Sequence, residues 1–455
     1  MMNAKISHLP ARAVFRCRFL LALLILITTA CAGQAPTASL TPLVFDTPLE
    51  EINTATRIPF DRDHFGEAID IEGDVLVAGA PHYGYPSDGA GAAYVYRKSS
   101  QGEWLQEAEL ISSDRDDGFQ YDQHFGEAVA LNGMLLAVGA PGYDNPQAGD
   151  NSGAVYIFEY DGSAWVETTR LTPSLPEPGA RMGSSIALSG DLLAVSGSQL
   201  ASSVSFFQRE ANGWRELPSL AVPVIPGEKP TYTLMDLYGN TLALSTVAWQ
   251  EPTNDQDEEA VYQSLRSEGK VTLYDREGDQ WERTYETAPQ EASLYKMRPE
   301  GPFGLPISLG GDDGEASLLA IGKPGFFRSG REQGSVFVYE RGSRGWQPQA
   351  ELALETGEAV PGALPFFGSD PGPIFFGAYV KLVGSRLGVV STFANTAYLF
   401  ERQEDDWVYR CRMYPGPEGF DDFMRRSVTW DGDIFLLSSP GDLGGGNVFV
   451  FNLKD

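Results

Sequence analysis

The stretch DHFGEA (63–68) returns as DQHFGEA (122–128), and each copy leads to a run that ends in Gly-Ala-Pro. These runs are VLVAGAP (75–81) and LLAVGAP (135–141). A short apolar segment and a glycine turn separate the two parts of each copy. An internal repeat of this length usually determines the whole fold, so these two copies decide how the rest of the chain is interpreted.

Weaker copies of the same unit extend to the end of the chain and bring the total to seven. Their second apolar runs are LLAVSGS (192–198), TLALSTV (241–247), LLAIGKP (318–324), LGVVSTF (387–393) and IFLLSSP (434–440). Six of the eight tryptophans occupy the same place in successive units, at spacings of 61, 49, 67, 65 and 61 residues. Such regular spacing indicates one structural unit used repeatedly.

Each unit is typical of four antiparallel strands. The second segment is continuously apolar, as expected for a strand covered on both faces. The third alternates, as in SVFVYE (335–340), so its two faces meet different surroundings. Pairs such as Asn132-Gly133 join the first two segments and suit two-residue hairpins. Four strands per unit, arranged radially, make a propeller blade, so we predict an all-β, seven-bladed β-propeller.

The two ends of the chain predict how the ring closes. The seventh unit stops after its third strand, NVFVFN (447–452), and lacks a tryptophan-led fourth strand. An unassigned segment, LEEINTATRI (49–58), precedes the first unit in the place that WLQEAELI (104–111) occupies before the second. We therefore predict that the N-terminal segment completes the last blade and covers its exposed edge.

The N-terminus is typical of a bacterial export signal. Basic residues up to Arg18 are followed by the apolar run 19–27 and by small residues, a run too short to span a bilayer. Cys31 after Thr-Thr-Ala resembles the lipidated cysteine of a lipoprotein signal, and ordinary cleavage near Ala30-Cys31-Ala32 is the alternative. The predicted organisation is a signal peptide at 1–31, a flexible tether at 32–42 and one propeller domain at 43–455.

Charge and cysteine content narrow the range of partners. The chain carries 33 Lys+Arg against 62 Asp+Glu, a net charge of −29. Without residues 1–31, which hold four of the basic residues, the charge becomes −33. Nucleic acid and anionic membrane surfaces would repel such a chain. Cys17, Cys31 and Cys411 are the only cysteines, so the processed chain, which we expect to be a monomer, must be held by its core rather than by disulfides.

The Phe-Gly and Gly-Ala-Pro pairs at 65–81 and 125–141 resemble FG-GAP repeats, the unit of the integrin α-subunit head and of many exported bacterial proteins. The resemblance covers roughly 41–455 and implies a β-propeller. In the integrin-like type, several blades bind Ca²⁺ through an Asp-x-Asp-x-Asp-Gly loop between the first two strands. Most of those turns have two residues here and cannot wrap an ion that needs six to eight oxygens.

Candidates for a metal or a binding loop are therefore acids in the longer connections. Asp144 and Asp150 follow the second Gly-Ala-Pro, and Asp312 and Asp313 lie in the one extended turn; turn formation is the alternative for all four. The insertion 249–268 is a candidate partner-binding loop or a solvated excursion. Its acids are Asp255, Asp257, Glu258 and Glu259.

Catalytic motifs and cofactor fingerprints are missing from the sequence. His64 and His124 occupy equivalent repeat positions and suggest packing, whereas His82 stands alone, and Cys411 suggests a packed thiol. First strands should line the propeller axis. The residues expected there form no repeated catalytic set: Glu67, Glu127, Ser184, Asp236, Lys381 and Arg426.

These observations favour an exported, lipid-anchored, non-catalytic propeller that binds a protein or a glycan at the cell envelope. No cofactor is indicated with certainty, and Ca²⁺ is the one candidate, without support from the usual loop motif. The expected location is the outer membrane or cell surface, otherwise the periplasm or the medium. The alternative is a carbohydrate-active or lyase-type enzyme that uses the central face, and a third possibility is a purely structural envelope component. A cluster of acids or bases that converges on the axis from several blades would favour the enzyme.

Overall fold

The computed structural model describes residues 43–45, 51–52, 56–59, 64–83, 90–115, 122–147, 149–197, 203–222, 229–249, 266–267, 269–287, 295–296, 306–311, 314–324, 334–354, 376–391, 396–415, 427–440 and 446–453. The predicted signal, its Cys31 and the tether lie outside these residues. Thr41–Asp455 forms one compact unit. Every regular element among the described residues is a β-strand. No helix that is long and apolar enough to cross a membrane occurs in this part of the chain.

Seven antiparallel sheets, called blades 1 to 7 below, follow one another along the chain. Blade 1 consists of β4 (Ile69–Glu72), β5 (Val75–Ala80), β6 (Ala92–Lys98) and β7 (Trp104–Leu110). Blade 2 consists of β8 (Val129–Asn132), β9 (Leu135–Ala140), β10 (Ala154–Tyr160) and β11 (Trp165–Leu171). Blade 3 consists of β12 (Ser185–Ser189), β13 (Leu192–Ser196), β14 (Ser203–Glu210) and β15 (Gly213–Ala221). Blade 4 consists of β16 (Lys229–Tyr238), β17 (Thr241–Trp249), β19 (Gly269–Glu277) and β20 (Gln280–Thr287). Blade 5 consists of β22 (Ile307–Gly310), β23 (Leu318–Pro324), β24 (Gly334–Gly342) and β25 (Gly345–Leu354). Blade 6 consists of β26 (Phe376–Val383), β27 (Arg386–Ser391), β28 (Thr396–Gln403) and β29 (Asp406–Met413). Blade 7 consists of β30 (Val428–Asp431), β31 (Ile434–Ser439), β32 (Asn447–Asn452) and the N-terminal β3 (Thr56–Pro59). The remaining strands are β1 (Leu43–Phe45), β2 (Glu51–Ile52), β18 (Arg266–Ser267) and β21 (Tyr295–Lys296).

The first strand of each blade lies innermost, as the sequence predicts. First strands of consecutive blades contact one another around the full circle, and β30 of blade 7 contacts β4 of blade 1. The second strands carry the continuous apolar runs, and β5 and β9 are buried along their whole length. The predicted all-β, seven-bladed propeller is therefore confirmed.

Antiparallel connections give the propeller two unlike ends. On one end, called the turn face, lie the turns from first to second and from third to fourth strands. On the other, called the loop face, lie the connections from second to third strands and from each blade to the next. Turn-face connections have two to seven residues, whereas loop-face connections have four to twenty-one.

In blades 1, 2 and 6 the phenylalanine of the Phe-Gly pair is a core residue of its own blade. Phe125 is fully buried and meets the rings of Tyr156 and Phe158 edge-on, at centroid distances of 5.4 and 6.0 Å. Phe65 in blade 1 and Phe376 in blade 6 make the same pair of contacts with the third strands of their blades. Such edge-to-face pairs add to the stability gained by burial.

The contacts between blades explain why the Phe-Gly and Gly-Ala-Pro parts of the repeat each require a glycine. The amide of Gly126 donates to the carbonyl oxygen of Gly139 in the same blade, at 2.8 Å. A β-carbon on Gly79 of blade 1 would overlap the carbonyl oxygen of Gly126 in blade 2, and one on Gly139 would overlap that of Gly183 in blade 3. Phe-Gly of one blade therefore sits directly on Gly-Ala-Pro of the blade before it, at a distance that only glycine permits.

This close approach predicts a large cost for the smallest possible side chain. We expect Gly139→Ala to lower the free energy of unfolding by about 3 kcal/mol, because the methyl group must displace backbone of the neighbouring blade. Gly342→Ala is the matched control, since a β-carbon at Gly342 meets nothing within 4 Å. Urea unfolding followed by tryptophan fluorescence measures both. Equal midpoints for the two variants would show that the blades can separate at no cost.

The repeated tryptophans also act between blades. In blades 1 to 6 the register of the third and fourth strands shifts once, so that the fourth strand carries an extra residue. Glu107, at the shift in blade 1, accepts a hydrogen bond from Nε1 of Trp165 in blade 2 at 3.1 Å. Gln349 in blade 5 accepts the corresponding bond from Trp407 in blade 6 at 3.0 Å. Two of the six repeated tryptophans therefore form a hydrogen bond to the preceding blade.

The N-terminal segment follows the outer edges of the last three blades. β3 pairs antiparallel with β32, with Arg57 opposite Phe449 and Ile58 opposite Val448, which is the predicted partner strand. β2 was expected beside the last blade as well; instead it pairs in parallel with β29 of blade 6. β1 pairs in parallel with β25 of blade 5. That β3 is what keeps the ring closed stays a prediction, because the inner strands of blades 7 and 1 also contact each other.

Cys411 offers a direct measurement of that role. It is the only cysteine of the unit Thr41–Asp455, and it is buried in the cluster between blades 6 and 7. We expect a chain that begins at residue 60 to react with a thiol reagent at least tenfold faster, because the blade edges over this cluster lose their covering strands. A chain that begins at residue 47, which lacks only β1, is the control. Equal rates for all three chains would mean that β3 does not hold the ring.

Candidate functional site

Ionisable side chains from several blades converge on the axis of the propeller. They occupy one repeat position, the third residue before the glycine of the first turn. The seven residues at this position are Asp70, Ala130, Ala187, Asp236, Ser308, Lys381 and Thr429, here called the axial ring. Lys381 of blade 6 interacts electrostatically with Asp70 of blade 1 and Asp236 of blade 4. Since these blades are not neighbours, the interaction runs across the axis.

The acids of the axial ring bind backbone amides of the next blade. Asp70 accepts a hydrogen bond from the amide of Leu131 in blade 2 at 2.8 Å. Asp236 accepts one from the amide of Leu309 in blade 5 at 2.8 Å and another from the hydroxyl of Ser308 at 3.0 Å. Inner strands are sheet edges, and these side chains satisfy donors that would otherwise lack a partner.

Ser308 continues the series one blade further. Its hydroxyl accepts a hydrogen bond from the amide of Leu382 in blade 6 at 3.0 Å while it donates to Asp236. The same logic recurs at the turn, where the amide of Gly73 donates to Asp431 of blade 7 at 2.6 Å and that of Gly239 donates to Ser189 of blade 3 at 2.9 Å. Glu72 accepts from Gly133 in the same way. Side-chain oxygens therefore link successive inner strands at two levels.

Protonation in the axial ring follows from burial and from Lys381. Burial raises the pKa of Asp70 above its usual range, although Lys381 and the amides of Leu131 and Ile71 act in the opposite direction. The charge of Asp236 raises the pKa of Lys381, against the effect of burial and with the help of Asp70. Lys381 is therefore a firmly charged ammonium group and a poor nucleophile.

A second group of ionisable residues lies on the loop face, at the seam between blades 1 and 2. The ring of His82 packs against His64, with centroids 4.3 Å apart, and against His124, with centroids 4.8 Å apart. Nδ1 of His64 lies 3.5 Å from Glu67, and Nδ1 of His124 lies 3.3 Å from Glu127. These three histidines are called the histidine row below.

The histidine row continues toward blade 3 through an ion pair. Glu127 also accepts from the guanidinium of Arg181 at 3.2 Å. His64, His124 and Arg181 occupy equivalent repeat positions, and each has a left-handed backbone with φ of 57°, 54° and 53°. Residues other than glycine adopt this conformation at a cost, and they do so where the surroundings demand a particular side-chain direction.

His82 is the histidine of the row whose pKa is strongly affected by its surroundings. Burial, with the neighbouring rings of His64 and His124, lowers the pKa of His82 to about 4. The sequence reading of His82 as an isolated residue was therefore wrong, since the loop after Gly-Ala-Pro brings it between the two repeat histidines. Contact between the rings, rather than nitrogens aimed at one point, characterises the row. No group of three metal-binding side chains occurs among the described residues.

A third cluster, between blades 1 and 2, is structural. Asp114 is buried and accepts a hydrogen bond from the hydroxyl of Tyr156 at 2.7 Å. Arg170 pairs with the same carboxylate, and its guanidinium lies over the ring of Tyr143 at 4.5 Å. Every charge in this cluster has a partner inside the protein, so it fixes the connection between the blades rather than offering a ligand site.

The sequence candidates are distributed as follows. Asp144 accepts a hydrogen bond from the amide of Asn151 at 2.7 Å and closes its own loop, while Asp150 is exposed in the same loop. Of the residues expected on the axis, Asp236 and Lys381 are there. Glu67, Glu127 and Ser184 are not: they precede the first strands and lie on the loop face, which corrects that prediction. Outside the described residues lie Asp255, Asp257, Glu258, Glu259, Asp312, Asp313 and Arg426.

The turn face is occupied by bonds between blades. An arginine near the end of the third strand pairs with the third strand of the preceding blade across four successive seams. The pairs are Arg209 with Glu159, Arg276 with Gln208, Arg341 with Asp275 and Arg402 with Glu340, at 2.6 to 3.0 Å. Short turns and paired charges leave this face little freedom to vary, in contrast to the loop face.

Comparison with known proteins gives a family match in the first two blades. Residues 61–96 and 104–158 match the FG-GAP repeat family. No curated protein is detectably similar in sequence. Among solved structures, a chain of the Mitotic Checkpoint Complex has 12% identity and a TM-score of 0.49, covering 91% of this chain and 100% of that one. A putative 6-phosphogluconolactonase from Bacteroides uniformis has 12% identity and a TM-score of 0.45, covering 76% and 83%.

The two matched segments contain the Phe-Gly and Gly-Ala-Pro pairs whose glycines meet between blades 1 and 2. The chain is therefore a seven-bladed β-propeller whose first two blades match FG-GAP repeats.

Variants of the axial ring can distinguish a charged residue that stabilises the fold, Lys381, from one whose charge destabilises it, Asp70. Lys381→Met leaves two acids without their counter-charge, and we expect a loss of about 3 kcal/mol of unfolding free energy at pH 7. This loss should shrink as the pH falls and Asp70, whose pKa is raised by burial, takes up a proton.

Asp70→Asn is the companion variant. Because the pKa of Asp70 is raised in the folded chain, its ionised form costs stability, and this cost grows as the pH rises through that pKa. Asparagine keeps an oxygen for the amide of Leu131, so we expect a change within about 1 kcal/mol at pH 7. Urea unfolding at pH 5 and pH 7 measures both variants. A loss in Asp70→Asn as large as that in Lys381→Met would contradict the assignment.

Proposed function

We propose that this propeller is a non-catalytic binding module whose loop face receives a protein or a glycan at the cell envelope. The observation that carries the proposal is the contrast between the two faces. Connections on the loop face are long and unlike one another, whereas those on the turn face are short and tied by arginine pairs. Binding residues are commonly placed on loops that a rigid scaffold holds.

Charge and shape favour the region near blades 1 to 3 as part of the binding surface. The histidine row, Glu67, Glu127 and Arg181 place both hydrogen-bond donors and acceptors along one side of the loop face. The acidic insertion 249–268 connects the second and third strands of blade 4, β17 and β19, whose adjoining ends belong to the loop face. A neutral or basic partner suits a chain with a net charge of −29.

The alternative, a carbohydrate-active or lyase-type enzyme, would use the axial ring, where charged groups do converge. The carboxylates there already accept backbone amides of the next blade, and Lys381 is held as a cation. These engagements support a structural role for the ring and weigh against an enzyme. The lipid anchor at Cys31 and the envelope location belong to the same proposal and rest on the sequence of the first 31 residues.

A binding experiment with matched variants tests the proposal. Immobilised Thr41–Asp455 is offered envelope extract and, separately, a glycan array. We expect one partner class whose binding falls at least tenfold in Arg181→Glu. Arg215→Ala is the control: it removes an exposed ion pair with Asp279 on the turn face and should leave binding unchanged. A further variant, with Asp255, Asp257, Glu258 and Glu259 changed to amides, tests the insertion.

Two results would count against the proposal. Equal losses in Arg181→Glu and Arg215→Ala would remove the loop face as the binding surface. Turnover of an array glycan that disappears in Asp236→Asn, with folding intact, would replace the binding module by the enzyme.

A further inference from the structure

His82 is the residue through which blades 1 and 2 meet on the loop face. Its ring lies between His64, which precedes the first strand of blade 1, and His124, which precedes the first strand of blade 2. A few residues away the amide of Phe125 donates to the carbonyl oxygen of Ala90 at 2.9 Å, so backbone of the two blades is hydrogen bonded at the same seam. Packing of His82 and closure of this seam therefore involve the same two segments.

We propose that His82 makes the seam between blades 1 and 2 sensitive to pH: the neutral ring packs in the row and holds the seam, and the protonated ring leaves it. Burial and the rings of His64 and His124 lower the pKa of His82, and this outweighs the effect of Glu67 and Glu127, which raise it. His64 and Glu67 face it from blade 1, and His124 and Glu127 face it from blade 2. Arg181 adds a positive charge beyond Glu127, and Arg115 lies over the ring of the adjacent Tyr83.

Acidification affects the three rings differently. His64 and His124 each have a carboxylate within 3.5 Å, so their protonated forms find a counter-charge in place. His82 makes ring contacts, and no hydrogen bond or ion pair of its side chain is found in the described part of the chain. A proton on His82 would be partly buried, with the rings of His64 and His124 packed against it.

Linkage gives the size and the sign of the effect. The pKa of His82 is lowered to about 4 when the ring is packed, against 6.5 for a free ring. The released ring therefore binds the proton more tightly. The packed state is fully favoured above pH 6.5, and the equilibrium moves toward release by about tenfold per pH unit down to pH 4. This device belongs to the chain itself and does not depend on a bound partner.

The repeat supplies an internal control. At the seam between blades 2 and 3 the amide of Met182 donates to Ser152 at 3.0 Å, in the position of the bond from Phe125 to Ala90. There Gly142 replaces His82 and Arg181 replaces His124, so no histidine is present at the equivalent positions. The two seams share backbone geometry and differ in the group that can take up a proton.

Hydrogen exchange of the full chain between pH 7 and pH 4.5 tests the proposal, with rates corrected for the intrinsic pH dependence. We expect protection at Phe125–Gly126, relative to Met182–Gly183, to fall at least tenfold on acidification. In His82→Phe, which keeps a ring but cannot take up a proton, the ratio should stay constant. The same fall in His82→Phe would overturn the proposal.

A direct titration keeps the test decisive if the phenylalanine variant does not fold. The Cε1 proton of His82 in the wild-type chain, assigned by its loss in His82→Gln, should titrate near pH 4 with the seam closed. A midpoint at or above 6.5 would mean that the row favours the cation, and the proposed direction of the switch would be wrong.

Discussion

The close contact of glycines between neighbouring blades is the constraint on which the rest of the propeller depends. Gly79 meets the carbonyl of Gly126, and Gly139 meets that of Gly183, at a distance that excludes even a methyl group. Because backbone touches backbone there, the start of each inner strand is held against the preceding blade. All other contacts between blades, from the axis to the outer tryptophans, build on this approach.

Where the motif degenerates, small residues keep the approach possible. Serine takes the place of the Gly-Ala-Pro glycine in blades 3, 4, 6 and 7, at Ser196, Ser245, Ser391 and Ser438, and all four are buried. At the closing seam a β-carbon on Gly66 would lie only 3.1 Å from the β-carbon of Ser438, and one on Gly446 would overlap the carbonyl of Phe65. The ring therefore closes from blade 7 to blade 1 with the contacts used elsewhere. The N-terminal strand adds to a seam that these contacts already join.

The blades were predictable from the sequence because their signals are local and repeated seven times. Apolar runs, turn glycines and tryptophan spacing each report on a single blade, and the strand bounds follow them. The axial ring was less accessible, although it had a signal: counting three residues back from each turn glycine selects Asp70, Asp236, Ser308 and Lys381 together. We chose instead the residues just after Phe-Gly. This choice placed Glu67 and Glu127 on the axis, whereas they lie on the loop face.

The histidine row and the paths of β1 and β2 had no comparable signal. His82 lies in a loop that differs from blade to blade, so its position between His64 and His124 follows only from the close packing of two blades. Strands of two or three residues that pair in parallel with an outer edge carry no periodic pattern. Such features depend on the three-dimensional arrangement and on nothing that a short window of sequence contains.

The same constraint suggests why function would be placed on the loop face. Charged side chains near the axis satisfy amides of the next inner strand, and arginines on the turn face pair with the preceding blade. A substitution at either place disturbs a seam, so these regions cannot change freely to suit a new ligand. Apart from the Phe-Gly contact itself, the loop-face connections have no contact between blades that recurs from one repeat to the next. Variation is therefore least costly there, and a repeat protein that acquires a partner would do so through those loops.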